Sequence, residues 1–246
     1  MEKISKIPRG ENMKKVLLYS GGVDSYMINQ IWKPDVKLYV DMNTRYSKQE
    51  IARLPKDVIV TKLDLSEFER SDAVIPARNL YLLTIATNYG DEICLGATAD
   101  DRQADKTIEF AEKASDILSF LHQEQFWTKK RDIKVNLDFS KLTKSEILQL
   151  YVESGGSLEK ALKESFTCYT PIENDECWNC KACHRKYITF KIAGCEFDIE
   201  TERKCIDYIE RNVLELIKNG TYGGGDIRGK QVLEIYNNFK KGETND

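Results

Sequence analysis

The 246-residue sequence has no run approaching the roughly 18 consecutive apolar residues that a membrane-spanning helix needs, which excludes a helical span. Its polar, basic start, MEKISKIPRGENMKK, leads only into the short stretch VLLY, so the apolar region of a secretory signal is missing too. The chain is therefore read as cytoplasmic, with residues 1–12 expected to be a poorly ordered extension. Charge of one sign is also lacking: 37 Lys and Arg face 40 Asp and Glu, a net charge of −3. That balance gives no overall field for nucleic acid, which is not expected as a direct substrate. The longest basic cluster, KKRDIK at 129–134, is read as a solvated loop face. Internal repeats and long low-complexity tracts are absent.

What is present is an ordinary globular composition, 41% hydrophobic and 31% charged, in a chain long enough to bury a sizeable core. Short apolar or β-branched runs alternate with helical patterns through the first 150 or so residues, the mark of an α/β fold with a parallel sheet and crossover helices. Strands are expected at Lys15 to Tyr19, Val36 to Asp41, Val58 to Lys62, Glu92 to Gly96 and Ile133 to Phe139. Helical spacing is clearest from Arg78 to Tyr89, and Thr143 with Glu146 has the spacing of a capping box. Two regions follow: residues 1–155 as a nucleotide-binding domain and 156–246 as a cysteine-bearing, helical one. In the second, helices are expected at Glu202 to Lys218 and Lys230 to Phe239, with the glycine-rich NGTYGGGDIRG between them read as a linker.

The first strand stops at Ser20-Gly21-Gly22-Val23-Asp24-Ser25 and a helix follows. That arrangement aims backbone N–H groups and a helix N-terminus at one point, where an anion is attracted. Gly21 and Gly22 let phosphate oxygens approach the backbone, and the Ser20 and Ser25 hydroxyls can donate to them. No G-x-x-x-x-G-K-[ST] is present, so this is not the phosphate loop of kinases and GTPases. The alternative is a plain strand-to-helix turn capped near Asp24.

Seven cysteines is an odd number, and Cys168, Cys177, Cys180 and Cys183 crowd together as C-x8-C-x2-C-x2-C. That is unlike a secreted disulfide framework. Four thiolates suit one structural Zn2+ with a closed shell, and an iron–sulfur cluster is the rival. His184 is a fallback ligand, while Cys94, Cys195 and Cys205 are read as small buried groups or free thiols without chemistry.

The S-G-G-x-D-S string resembles the PP-loop of the ATP pyrophosphatase superfamily. Together with the distant cysteines it resembles the 7-cyano-7-deazaguanine synthases, the QueC type. DMNTRYSKQE, IPARN, LGATADD and LTKSE fall in that family's order, and the resemblance covers roughly residues 13–190. It implies an adenine nucleotide alpha hydrolase-like, Rossmann-like fold. It also implies ATP and Mg2+ as cofactors, with Ser20, Gly21, Gly22, Val23 and Ser25 on the departing pyrophosphate and Asp24 placing magnesium. Arg45, Arg78 and Lys144 would then surround the triphosphate. The implied activity is that of an ATP-dependent ligase. The carboxylate of 7-carboxy-7-deazaguanine is adenylated, ammonia gives the amide, and a second activation gives the nitrile for queuosine or deazapurine biosynthesis. Where the family usually has Y-P-D-C-R against the base, this chain has Gln103-Ala104-Asp105-Lys106-Thr107. Asp105 could still accept the N–H groups of a guanine-like base, but the missing cysteine and arginine leave two variants open: a stop at the amide, or a different acid. A tRNA-thiolating PP-loop enzyme with an iron–sulfur cluster and a non-catalytic nucleotide sensor are the further alternatives. Residues 191–246 could cover the pocket, make a homodimer contact, or do neither.

Overall fold

In the computed structural model, which describes residues 13–99, 101, 103–173, 175–223 and 225–243, the five apolar runs pair as one sheet. The expected extension at residues 1–12 lies outside these residues. The strands are β1 (Lys15–Leu18), β2 (Val36–Asp41), β3 (Ile59–Lys62), β4 (Glu92–Cys94) and β5 (Lys134–Asn136). Their order is β3-β2-β1-β4-β5 and every pairing is parallel, with Val16 opposite both Val36 and Ile93. After β3 the chain crosses back over the sheet to β4, so β1 and β4 flank a topological switch point, where the C-terminal strand ends leave a crevice.

Ten α-helices are described: α1 (Val23–Trp32), α2 (Ser47–Ile51), α3 (Arg78–Ala86), α4 (Ile108–Leu121), α5 (Lys144–Glu153), α6 (Leu158–Glu164), α7 (Lys181–Ile192), α8 (Ile199–Asn212), α9 (Leu214–Lys218) and α10 (Gly225–Glu243). The sheet is covered on both faces, as a parallel sheet must be. The period-two alternation of each strand divides its side chains between them. Val16, Leu38 and Ile93 pack with Leu83 and Ala86 of α3 and Ala111, Ala114 and Leu118 of α4. Leu17, Tyr39 and Cys94 pack on the other side with Met27 and Ile28 of α1 and Ile147, Leu148 and Tyr151 of α5. Each of the fully buried aliphatic side chains contributes about 1.5–3 kcal/mol. These layers hold the α1 and α5 N-termini at the crevice. The expected capping box is present: Thr143 Oγ1 accepts from Glu146 N at 3.3 Å, and Glu146 accepts from Thr143 N at 2.8 Å.

Past residue 164 the chain builds a helical layer. Tyr187 and Ile188 of α7 form a small core with Cys205, Ile206 and Ile209 of α8, Val213 and Val232. On the opposite side of α7, Phe190 is buried in the cluster around α1 and α5. The linker reading of 219–229 does not hold. Gly225 to Gly229 open α10, and Arg228, 5% exposed, donates to the Arg185 carbonyl and Thr189 Oγ1, both at 3.0 Å. A buried guanidinium with fixed acceptors outweighs the flexibility that glycines suggest. The helix expected over Glu202 to Lys218 begins at Ile199 and is broken at Val213 into α8 and α9.

Candidate active site and metal centre

The loop after β1 takes its shape from its own small groups. Gly21 has φ +75°, a left-handed conformation that favours glycine. Gly22, by contrast, has φ −69° as the residue before α1, so its backbone would accept any side chain. A Cβ there would come within 3.3 Å of Ser20 Oγ and otherwise meet nothing closer than 3.9 Å. The fold therefore does not demand glycine at 22. What glycine leaves is backbone uncovered by a side chain at the α1 N-terminus, the approach a phosphate needs. Gly22 N donates to Ser20 Oγ at 3.3 Å, and Ser25 Oγ donates to the Gly22 carbonyl at 3.1 Å. Ser20 and Ser25 hydroxyls stand 3.4 Å apart, one exposed and one buried. Val23, the first residue of α1, is buried and anchors the turn to the core.

Asp24 in the first turn of α1 and Lys144, the first residue of α5, form an ion pair across the crevice. Asp24 keeps its other oxygen, Oδ1, buried without a hydrogen-bond partner among the described residues, an acceptor that could hold a cation. Thr98 Oγ1, at the end of β4, is orphaned and buried as well. Asp101 completes this edge. It accepts from Thr98 N at 3.1 Å and pairs with Lys106 at 3.0 Å. Burial pushes its carboxyl up, but Lys106, the Thr98 N–H and Lys144 outweigh that and hold it below its ordinary value. Sequence reasoning missed Asp101, although it lies within the quoted LGATADD stretch.

The other predicted residues lie on separate segments, Arg45 before α2, Arg78 on α3 and Asp105 between β4 and α4. Arg78 opens α3 behind Ala77, which is left-handed at φ 55°, and its charge acts on Glu50 and Tyr169. Asn79, 2% exposed, donates to the Asp105 carbonyl at 3.1 Å, which fixes the turn that carries Asp105. Arg45 is committed elsewhere: Nε donates to Glu69 at 2.6 Å and Nη2 to the Arg70 carbonyl at 2.8 Å, so it braces the loop after β3.

All four predicted cysteines converge. The sulfurs of Cys168, Cys177, Cys180 and Cys183 lie within 4.8 Å of one another, all buried. Tetrahedral ligands at about 2.3 Å from one ion sit about 3.8 Å apart, and Cys177 and Cys183 sulfurs are 4.0 Å apart. The set thus fits a metal ion. Backbone N–H groups already point at it, from Cys177 to Cys168 Sγ at 3.3 Å and from Asn179 to Cys177 Sγ at 3.4 Å. Hydrogen bonds shared among these sulfurs push the Cys180 thiol down and the Cys168 and Cys183 thiols up, as expected of crowded thiols that must share protons. His184 stands apart, its Nε2 3.2 Å from Tyr222 Oη.

The two sites are joined by three residues. Phe166 N donates to the Gly21 carbonyl at 2.9 Å, two positions before the ligand Cys168. Lys186, 1% exposed, donates to the Ser165 carbonyl at 2.6 Å and pairs with Glu176 at 2.7 Å. Glu176 in turn accepts from Thr167 N at 2.8 Å. This strut was not foreseen, because neither its lysine nor its glutamate carries a motif.

The family model for the queuosine biosynthesis protein QueC matches residues 38–194, more than half of the chain. The 7-cyano-7-deazaguanine synthase of Methanobrevibacter smithii is 25% identical over 131 residues, 53% of this chain and 56% of that protein, so the chain spans little more than half of that relative. The 7-cyano-7-deazaguanine synthase 1 of Colwellia psychrerythraea is 22% identical over 216 residues, 72% of this chain and 94% of its own length. Among solved structures, the U34-tRNA thiolase NcsA from Methanococcus maripaludis with its 4Fe-4S cluster aligns over 94% of this chain and 73% of its own at TM-score 0.38 and 15% identity, a likeness too slight to bear on function. With S-G-G-x-D-S at the switch point and four converging cysteines, the match to more than half of the sequence settles the family: the chain belongs to the QueC family of queuosine biosynthesis proteins.

Proposed function

We propose that the protein is an ATP-dependent ligase that converts 7-carboxy-7-deazaguanine, with ammonia, to the amide and then to 7-cyano-7-deazaguanine. The observation that carries this reading is the bare loop at Gly21 and Gly22 facing the Asp24–Lys144 pair at the switch point. In the first step a substrate carboxylate oxygen attacks the α-phosphorus of ATP and pyrophosphate leaves. Ammonia then attacks the acyl carbon, AMP leaves with the carboxylate oxygen, and a proton is lost from nitrogen. In the second activation the amide oxygen attacks the α-phosphorus of another ATP and pyrophosphate leaves; departure of AMP with loss of the two N–H protons then gives the nitrile.

The chain's part is electrostatic and positional. The N–H groups at the α1 N-terminus and the hydroxyls of Ser20 and Ser25 grip the departing pyrophosphate. Lys144, held by Asp24, would supply positive charge to the triphosphate, and Arg78 would add charge from α3. Asp24 with its orphaned Oδ1 would hold magnesium, which when bound neutralises phosphate charge. Asp105, on its braced turn, is the candidate acceptor for the base's N–H edge.

Zinc is the ion we assign to the cysteines. Sulfurs within 4.8 Å of one another support a single tetrahedral centre. A cubane gives each thiolate a different iron and keeps them farther apart. When bound, zinc supplies a closed shell and no open position for substrate. The test is pyrophosphate exchange into ATP without ammonia: exchange should require 7-carboxy-7-deazaguanine, and exchange independent of any added acid would sink the proposal.

A further inference from the structure

Beside the loop, a small cleft opens between α2 and the segment leading to the cysteines, lined by Tyr46, Gln49, Glu50, Phe166, Thr167, Cys168 and Tyr169. It offers about 30 Å³ to the centre of a water-sized molecule. A single water needs about 10–15 Å³ on that measure, so the space suits one or two small molecules and not a fused ring. Two of its side chains, Gln49 and Glu50, present acceptor oxygens. Gln49 Oε1 is buried with no hydrogen-bond partner. Glu50 is partly buried, and the Tyr39 hydroxyl donates to one of its two oxygens at 2.6 Å. Tyr46 and Tyr169 stand with ring centroids 5.3 Å apart and contribute aromatic faces. The cleft lies against the phosphate loop, since Phe166, one of its walls, donates its N–H to the Gly21 carbonyl at 2.9 Å.

A carboxylate, an orphaned amide oxygen and two π faces around a space of this size describe a site for a small cation rich in N–H donors. Water would satisfy the orphaned oxygen, but it would make no use of an anionic group and two ring faces together. We propose that this cleft binds ammonium, the nitrogen source of the reaction, next to the point where the adenylate forms. The proposal rests on the ligase reading for its place in the reaction, while binding itself is testable without turnover. Burial raises the Glu50 carboxyl above its ordinary value, while the Tyr39 hydrogen bond and the positive charge of Arg78 from α3 work the other way; Arg53 stacks on the Phe166 wall at 3.7 Å, and Arg185 acts on Tyr169 across the cleft.

The test uses the full-length, zinc-loaded protein and the variants Gln49→Met and Glu50→Gln. Gln49→Met keeps the side chain's length and deletes the acceptor, with no hydrogen bond of the Gln49 side chain to lose. Both variants should raise the KM for ammonium about tenfold or more. Acid-dependent pyrophosphate exchange measured without ammonium should stay within about twofold of the parent protein. Titrating ammonium chloride into the free parent protein against a sodium chloride control should shift the Gln49 side-chain amide resonance. An unmoved resonance, or an unchanged ammonium KM in Gln49→Met with exchange intact, would overturn the site. Exchange falling in step with ammonium use would also overturn it, since the cleft would then serve the nucleotide or the acid. If the parent protein shows no acid-dependent exchange, the ligase reading fails, and the amide shift still decides whether ammonium binds here.

Discussion

Replacing Lys186 with Met removes the cation of the most deeply buried ion pair among the described residues while keeping most of its volume. The side chains of Lys186 and Glu176 are 1% and 8% exposed, so the glutamate would be left enclosed with a charge answered only by Thr167. Removing one member of a buried pair typically costs about 3–5 kcal/mol. At about 2–4 °C per kcal/mol for a chain of this size, the melting temperature should fall by about 6–20 °C. The hydrogen bond to the Ser165 carbonyl goes too, and with it the brace on the segment that joins Cys168 to Gly21. Urea unfolding at fixed zinc concentration measures the loss. Adding Glu176→Gln, which removes the stranded charge but keeps an acceptor for Thr167, should recover about 1 kcal/mol or more. A loss below about 1 kcal/mol for Lys186→Met, or a double variant no more stable than the single one, would refute the reasoning.

Gly22→Ala should fold with a loss of at most about 1 kcal/mol, because its Cβ meets only Ser20 Oγ at 3.3 Å, yet ATP affinity should drop at least tenfold; equal affinity by calorimetry would mean that phosphate does not approach there. Asp24→Ala should abolish AMP formation and leave zinc content unchanged, so near-normal turnover would remove Asp24 from the site. The Glu92 carboxyl, raised by burial but lowered more by Asn136, Lys134 and Lys15, sits below its ordinary value. Its contribution is complete above the unfolded carboxylate pKa of about 4.3 and is lost as pH falls through the lower folded value. Glu92→Gln should therefore flatten the acid limb of the stability curve, and an unchanged limb in pH-dependent unfolding would contradict the assignment.

The strand cores and the order of motifs were legible because burial on both faces of a parallel sheet leaves compact apolar runs, as at Val16 and Leu17. The ends were not. β5 was expected to reach Phe139, but Asp138 to Lys141 turn as a 3-10 segment, where Asn136 and Asp138 side chains bond locally at 2.9 Å. The glycines of 223–229 misled for a similar reason, since Arg228 finds acceptors on α7 that no local pattern announces. Within the site, the groups we assign to phosphate and metal carry motifs and could be read. Asp101, Glu176 and Lys186 act through hydrogen-bond and ion-pair partners that no motif announces. Arg45 had a motif too, yet its guanidinium is taken up by Glu69 and the carbonyl of Arg70.

The central claim is that this site makes a nitrile from an acid at the expense of ATP. Incubating the zinc-loaded protein with 7-carboxy-7-deazaguanine, ATP, magnesium and ammonium, then following products by mass spectrometry, tests it directly. The account predicts 7-cyano-7-deazaguanine as the main end product, with two AMP formed per nitrile and the amide passing through as an intermediate. Accumulation of the amide as the end product, or ATP consumption without any change in the acid, would contradict it.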